Sequence, residues 1–380
     1  MISLQTTQTN IPPNMIDLGI GQPSPTLLPL DVMQKAVQHR LQQGDPSLLA
    51  YGAEQGDGYF RLALAKFLTK GYAIPVDADS LFVTSGASQA LDLICTLCTK
   101  PGDTVFVEEP SYFLALRIFA DHGLHVVGLP MDGDGLDIAV LAEKLTEYRP
   151  QFLYTVPTHH NPSSLTLSAE RRQQLVELSE QHGFFIVADE VYQLLGFDAA
   201  PPPPLINYDR SGTVLSIGSF SKILAPGLRL GWLQARPQVL EPFINCGLLD
   251  SGGGLNPFTS GIVRSVLELD LLSDYVDKLK TVYRHRAKIL SAALRRQLSE
   301  TAVFDEPTGG FFIWLRFPET IDLATLLPEL IHQHVRVQPG VKFSAQGRLR
   351  NCARLCFAYY DAEALAEGVN RLAQVVTKKA

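Results

Sequence analysis

Gly218-Ser219-Phe220-Ser221-Lys222-Ile223-Leu224-Ala225-Pro226-Gly227-Leu228-Arg229-Leu230-Gly231-Trp232 is the stretch from which the fold and chemistry of this 380-residue chain are read. It follows Thr213-Val214-Leu215-Ser216-Ile217, a short apolar run with β-branched residues that suits a buried strand better than so brief a helix. Lys222 is therefore expected where a core strand ends. An ammonium there is costly to bury unless it is paired or its pKa falls, and a nearly neutral lysine is the form that attacks carbonyl groups to make Schiff bases. Seven residues on, Arg229 cannot give up its proton and offers a fixed fork of donors that matches a phosphate bidentately. Ser219 adds a hydroxyl on the same loop. A carbonyl-seeking lysine beside a phosphate clamp suggests pyridoxal phosphate.

Working outward, other apolar runs end in polar groups in the same way. Leu81–Thr84 reads as a strand, and Ser85-Gly86-Ala87-Ser88 as the turn opening a helix through Leu91, Leu93, Ile94, Leu97 and Cys98. A helix N-terminus offers free N–H groups and positive potential, and glycine lets backbone close around an anion, so this turn supplies a second half of a phosphate cup. Thr104–Glu108 is a strand leading to Glu109-Pro110-Ser111-Tyr112-Phe113, and Gln151–Pro157 another, leading to Thr158-His159-His160-Asn161-Pro162-Ser163-Ser164. Phe184–Ala188 is a nearly continuous apolar strand that ends in Asp189-Glu190-Val191-Tyr192. A carboxylate at that place needs a positive partner, and the protonated ring nitrogen of the cofactor is one. These strands, separated by helical stretches such as Leu165–His182, predict a mostly parallel sheet, and open α/β sheets bind ligands at their strand C-terminal ends.

The flanks complete the organisation. Asp17–Pro25 is turn-rich and opens onto a helical stretch over 30–43. Pro201–Pro204 reads as a stiff surface loop, and Asp250–Pro257, rich in glycine, as a mobile substrate loop. One long helix is expected over 257–297, joining two domains, followed by a smaller α+β unit. The expected division is an N-terminal segment 1–45 contributing to the small domain and the lip of the site, a large domain 46–275 and a small domain 276–380.

At 46% hydrophobic residues, the chain is ample for a large core. A net charge of −7 and a pI near 5.7, without a basic run, argue against a nucleic-acid or anionic-membrane surface. Met1–Asn10 is polar and uncharged, and no stretch approaches the ~18 apolar residues of a membrane span, so a cytoplasmic protein is expected. Of the five cysteines, Cys95 and Cys98 fall inside an apolar helical run, which favours free thiols over a metal or redox site. The His159-His160 pair is likewise discounted as a metal site, because adjacent residues on an extended segment point to opposite sides.

Ser219-Phe220-Ser221-Lys222 followed by Ala225-Pro226-Gly227-Leu228-Arg229-Leu230-Gly231-Trp232 resembles the anchor of the fold-type I pyridoxal-phosphate aminotransferases, class I/II. The Lys-to-Arg spacing most resembles the branch containing 2-aminoadipate and kynurenine aminotransferases and the aminotransferase domains of MocR-type regulators. The resemblance runs from about Asp17 to the C-terminus. It implies the aspartate aminotransferase-like fold, a seven-stranded, mostly parallel sheet with helices on both faces plus a smaller α+β domain. It further implies pyridoxal 5'-phosphate held as a Schiff base on Lys222, with Tyr112 stacked on the ring and Asn161 and Tyr192 donating to the phenolic oxygen. By the same resemblance Asp189 meets the ring nitrogen, Gly86, Ala87, Ser88, Ser219 and Arg229 hold the phosphate, and Tyr51 reaches it from the other subunit of a homodimer. The resemblance also implies that Gly21 lets backbone approach the substrate carboxylate and that Arg354, alone among apolar neighbours in Asn351–Ala358, grips it. Many relatives carry Gln-Asn-Pro-Thr-Gly around the Asn161 position; His160 and Ser163-Ser164 depart from it, which puts the loop's conformation and the substrate rim in question.

The implied activity is ping-pong transfer of an amino group from an L-amino acid to a 2-oxo acid. A β-eliminating lyase on the same scaffold is the alternative, and a ligand-sensing domain of the MocR type is set aside because about 16 residues precede Asp17. No Arg occurs before Arg40, and Leu27 and Leu28 suggest an apolar lip, so a neutral or aromatic donor is expected, with 2-oxoglutarate as acceptor.

Overall fold

Val214–Ser219 is buried along its whole length in an eight-stranded sheet of the computed structural model, which describes residues 5–379. The first four residues of the Met1–Asn10 stretch lie outside the described residues. The strand order is Leu81–Thr84, Gly231–Gln234, Val214–Ser219, Phe185–Asp189, Phe152–Thr155, Thr104–Glu109, His125–Asp132 and Gly135–Leu136. From Val214–Ser219 to His125–Asp132 every pairing is parallel. The eighth strand, beyond the seven expected, is a two-residue antiparallel return of the edge.

Both faces of this sheet are covered, which is why its strands read as unbroken apolar runs rather than alternating ones. Val107, Tyr154, Val187 and Leu215 pack into the larger core cluster, while their neighbours Phe106, Leu153, Ile186 and Val214 pack into a second cluster on the opposite face. Gly231–Gln234, which the sequence reading did not separate from the anchor, is antiparallel to both of its neighbours. It therefore starts where they end. The cross-strand partner of Gly218 is Trp232, and a Cβ on Gly218 would lie 2.0 Å from the indole, so only glycine accommodates that ring.

A second sheet sets Cys352–Cys356 between Phe312–Arg316 and Gln338–Pro339, all antiparallel. Ile16–Asp17 pairs in parallel with Val335–Arg336, so the N-terminal segment is tied to the C-terminal part of the chain. Helix Leu30–Gln42 matches the expected stretch.

Three expectations are corrected. The single helix over 257–297 is two, Pro257–Glu268 and Leu271–Leu298, broken where Asp270 takes a left-handed backbone (φ 52°). The Asp250–Pro257 segment is not a free loop: helix Gly247–Gly252 occupies its first part, and Gly254 N–H donates to Gly52 O at 3.1 Å. A Cβ on Gly254 would lie 1.8 Å from Ala53 O, so those glycines serve close backbone packing. The helical stretch expected from Leu165 begins at Ala169, where the Ser168 hydroxyl caps it. The proline run is anchored, since Pro202 O and Pro203 O accept from Gln193 and from the fully buried Arg172. All five cysteines are free, with Cys95, Cys352 and Cys356 buried. No helix among the described residues is long and apolar enough to cross a membrane.

Candidate active site

The groups singled out in the sequence converge on the edge where the parallel strands end. Lys222 follows the strand Val214–Ser219 by three residues, and its Nζ donates to Gly21 O at 3.1 Å and stands 5.4 Å from the Phe311 ring centroid. Burial lowers its pKa from 10.5 to about 8, opposed by the Asp189 carboxylate and reinforced by the nearby guanidiniums. The fold thus brings the neutral, reactive form of this amine within reach at a pH far below that of a free lysine.

Asp189 ends the strand Phe185–Asp189 and is nearly buried. Tyr154 Oη donates to its Oδ2 at 2.8 Å, while the buried Oδ1 has no partner. Burial raises the Asp189 pKa, against the Tyr154 bond, the Val191 N–H and Lys222. An orphaned carboxylate oxygen at a strand end is an acceptor waiting for a ligand N–H.

On one side of Lys222 lies a cup for an anion. Helix Ala87–Cys98 opens at Gly86 (φ 87°), so the N–H groups of its first turn point to the same edge. A Cβ on Gly86 would lie 2.7 Å from Arg229 Nη2, so glycine is required there both for its backbone and for the guanidinium. Arg229 precedes the antiparallel strand Gly231–Gln234, which is how an arginine at a strand start reaches the edge formed by strand ends. It is exposed and left-handed (φ 46°), with Nη1 donating to Ser221 Oγ and Pro226 O and Nη2 to Ser85 O at 3.3–3.4 Å. The buried Ser219 hydroxyl donates to Ser221 Oγ at 3.0 Å. Ser221 therefore links Ser219 to Arg229, a role the sequence reading passed over although the residue sits inside the quoted motif. Ser88 is exposed on the first helical turn.

On the other side Arg354, 3% exposed, donates through Nη1 to Asn161 Oδ1 at 2.9 Å and through Nη2 to Gly19 O at 2.7 Å. Its guanidinium lies over Phe312 (4.2 Å), Phe343 (5.1 Å) and Phe113 (5.9 Å), and its Nε is buried without a partner. Burial lowers its pKa. A Cβ on Gly21 would lie 3.1 Å from Nη2, so this glycine packs closely against the guanidinium. Tyr192 is buried edge-on against Phe311 and Phe312, the same two rings that flank Lys222 and Arg354. Tyr112 immediately precedes helix Phe113–Asp121; burial pushes its pKa up to about 12, and it feels the charges of Asp189, Arg354 and Arg229 together. Tyr51 is not brought to this edge within the chain: it is 87% exposed.

The departures around Asn161 turn inward rather than onto a rim. His160, Ser163 and Ser164 are all buried. His160 Nδ1 accepts from Ser163 N–H at 3.2 Å, and Nε2 lies 3.0 Å from Glu108 Oε2. Thr155 Oγ1 and Val156 N–H donate to the same carboxylate at 2.8 and 2.9 Å. The premise that His159 is extended is corrected, because it is left-handed (φ 47°); its ring is wedged against Gly309, where a Cβ would lie 2.2 Å from Nε2. Burial lowers the His159 pKa to about 4. Glu108 and Tyr154 were missed because each lies inside an apolar strand and looks like core.

The orphaned Asp189 oxygen, the glycine-lined cup and a lysine of lowered basicity between two unpaired guanidiniums fit a phosphorylated pyridine aldehyde and a carboxylate substrate. Comparison with known proteins agrees. A family model described as aminotransferase class I and II matches residues 13–372. An aromatic-amino-acid aminotransferase of Thermococcus litoralis is 33% identical over 96% of this chain and 89% of its own. A Bacillus subtilis protein named as an uncharacterized HTH-type transcriptional regulator, YisV, is 32% identical over 96% of this chain and 74% of its own. The crystal structure of a Pyrococcus horikoshii kynurenine aminotransferase, in complex with PMP, superposes with a TM-score of 0.91 at 31% identity, over 97% of this chain and 92% of that one. The chain belongs to the class I and II aminotransferases, and its cofactor is pyridoxal 5'-phosphate.

Proposed function

We propose that this aminotransferase moves the amino group of a neutral or aromatic L-amino acid to a 2-oxo acid, 2-oxoglutarate being one acceptor, in two half-reactions that share Lys222. The observation that carries the reading is a pair of buried groups near Lys222: Asp189 Oδ1, which has no partner and is ready for a ring N–H, and Arg354, which has only neutral acceptors and an unpartnered Nε and is ready for a carboxylate. The cofactor, when bound, supplies an aldehyde for the amine and a ring that accepts electrons from the substrate Cα. Lys222 is the amine that would hold that aldehyde, with water as the leaving group, and as a free amine it would be the base that takes the proton from the substrate Cα. Arg354, against Gly21, grips the α-carboxylate. Asn161 and Tyr192 would donate to the phenolic oxygen, Tyr112 would stack on the ring, and Gly86, Ala87, Ser88, Ser219 and Arg229 would hold the phosphate. Tyr51, exposed in one chain, completes the cup of a partner in a homodimer.

The donor class is supported by the three phenylalanines around Arg354 and by Leu27, packed against the core with its carbonyl held by Tyr275 at 2.7 Å. In this reading 46–275 form the large domain, 276–380 the small one, and 1–45 the segment that joins it at the lip.

The experiment is an absorbance spectrum of the purified protein, of Lys222→Ala, and of wild type with amino acids added singly. A chromophore above the protein band, converted to the amine form of the cofactor by aromatic and neutral donors, is the expected result. Conversion to ammonia and oxo acid without the amine form makes the chain a lyase. Equal or better turnover of 2-aminoadipate overturns the donor class.

A further inference from the structure

Tyr154 is a fully buried phenol to which the reading above gives no task. It lies on the strand Phe152–Thr155, paired with Val187 in the neighbouring strand two residues before Asp189. Its ring packs edge-on against Phe119 at 5.6 Å, so neither the ring nor its hydroxyl is free to move to another partner. The neighbouring side chain on this strand, Thr155, points the other way and holds Glu108. One strand thus clamps two buried carboxylates, one on each side.

A phenol has a single proton to donate, and Tyr154 donates its own to Asp189 Oδ2 at 2.8 Å. Oδ1 is left as the free acceptor. We propose that Tyr154 is a positioning residue for the cofactor: by occupying Oδ2 it fixes the rotation of the Asp189 carboxylate, presents Oδ1 to the ring nitrogen, and favours the ionised carboxylate that keeps that nitrogen protonated. The inference rests on the assignment of Asp189 to the ring nitrogen. The charge balance supports it. Burial drives Asp189 towards its neutral form, and the Tyr154 bond is the strongest influence acting against that. Burial also holds the Tyr154 pKa well above its ordinary value, so the phenol stays a donor across the working range.

A phenol that only fills the core is replaceable by phenylalanine, which keeps the ring and its packing on Phe119. The test therefore uses Tyr154→Phe, Asp189→Asn and the double variant, each stripped of cofactor and titrated with pyridoxal 5'-phosphate, with the chromophore followed as a function of pH. Loss of a hydrogen bond to a charged acceptor predicts a dissociation constant raised on the order of tenfold for Tyr154→Phe and a displaced chromophore titration midpoint. In the Asp189→Asn background the same change has a much smaller effect, because the carboxylate it orients is gone. Wild-type affinity and midpoint in Tyr154→Phe, or the same loss with and without Asp189, overturns the proposal. Should Tyr154→Phe not fold, 3-fluorotyrosine incorporated at position 154, a stronger donor of nearly the same size, shifts the midpoint if the hydroxyl acts through Asp189 and leaves it in place if the ring only fills space. Unchanged cofactor affinity in Asp189→Asn refutes the assignment of Asp189 itself, an outcome separate from failure of Tyr154→Phe alone.

Discussion

Two arginines flank Lys222 and are held in opposite ways. Arg229 is exposed, on a left-handed backbone, with its guanidinium spread over Ser221, Pro226 O and Ser85 O. Arg354 is sealed among three phenylalanines, with Asn161 and Gly19 O as its partners. Both are satisfied by neutral acceptors, so both are open to an anion. The difference is in what each environment does to the anion's binding energy. Near solvent, water and salt screen the attraction and the site gains mainly from geometry fixed in advance by backbone. In the aromatic pocket the cation is already desolvated at the cost of folding, so a carboxylate entering there recovers a large electrostatic energy. An exposed clamp suits a cofactor that stays, with many donors sharing its phosphate. A buried one suits a substrate that must be gripped by a single residue and released.

The largest effect that sharpens this contrast is at Arg354. Removing one partner of a buried, charge-assisted contact costs about 2–5 kcal/mol, so Arg354→Ala should lower kcat/KM for the amino donor roughly a hundredfold or more. Arg354→Lys should restore little, because a point charge cannot replace a bidentate fork. Chemical denaturation of the cofactor-free forms should show Arg354→Met as stable as wild type or more so, since an unpaired buried cation is removed. An unchanged half-saturation for the donor would mean that the carboxylate is gripped elsewhere.

Arg229→Ala should act on the cofactor instead. A hydrogen bond to a charged group contributes about 1.5–3 kcal/mol, so the dissociation constant for pyridoxal 5'-phosphate should rise about ten- to a hundredfold, with donor half-saturation nearly unchanged at saturating cofactor. The wild-type constant should weaken with added salt more steeply than that of the variant. Equal salt dependence in the two would break the comparison, because it would remove solvent screening as the distinction. Gly86→Ala belongs to the same side and should have a smaller effect. Its positive φ and the 2.7 Å approach to Arg229 predict about 1–3 kcal/mol of strain, read as a lower Tm and weaker cofactor retention.

What could be read from the residues follows the same division. The cup side is written in consecutive motifs, Ser85–Ser88 and Ser219–Arg229, because strand, turn and helix start are adjacent in the chain; all of it but the linking hydroxyl of Ser221 is legible there. The antiparallel strand after Arg229 was not, since Gly231–Gln234 is too short and continuous with the anchor to announce a reversal. The carboxylate side is assembled from Gly19, Phe113, Asn161, Phe312, Phe343 and Arg354, far apart in sequence. Only Arg354 and Asn161 stood out, the first as a guanidinium in an apolar strand, the second through the resemblance to the aminotransferase motif around it. Phe312, Phe343 and Tyr154 look like core and are core; that they also touch charged groups is a matter of tertiary placement. The break at Asp270 was invisible for a related reason: the apolar period continues on both sides of it while the backbone turns left-handed for one residue.

Lys222 sits between the two regimes, half-buried, and gives the subtlest test. An unfolded lysine keeps its proton to about 10.5, whereas the folded one releases it at about 8. Within that window the unfolded chain binds more protons than the folded one, so stability must rise with pH there; below about 8 the folded state bears the full penalty of a buried ammonium. Cofactor-free wild type should therefore gain stability relative to Lys222→Met as pH is raised from 7.5 to 10, with other titrating groups cancelling in the difference. The rate at which added pyridoxal 5'-phosphate reloads the wild-type protein should instead climb as the pH approaches about 8 and level off above it, because only the neutral amine attacks the aldehyde. Parallel stability curves would show that Lys222 is solvated in the folded state. Its reactivity would then have to come from the arginines on either side of it rather than from burial, and the separation between an open clamp and a sealed one would no longer account for the amine placed between them.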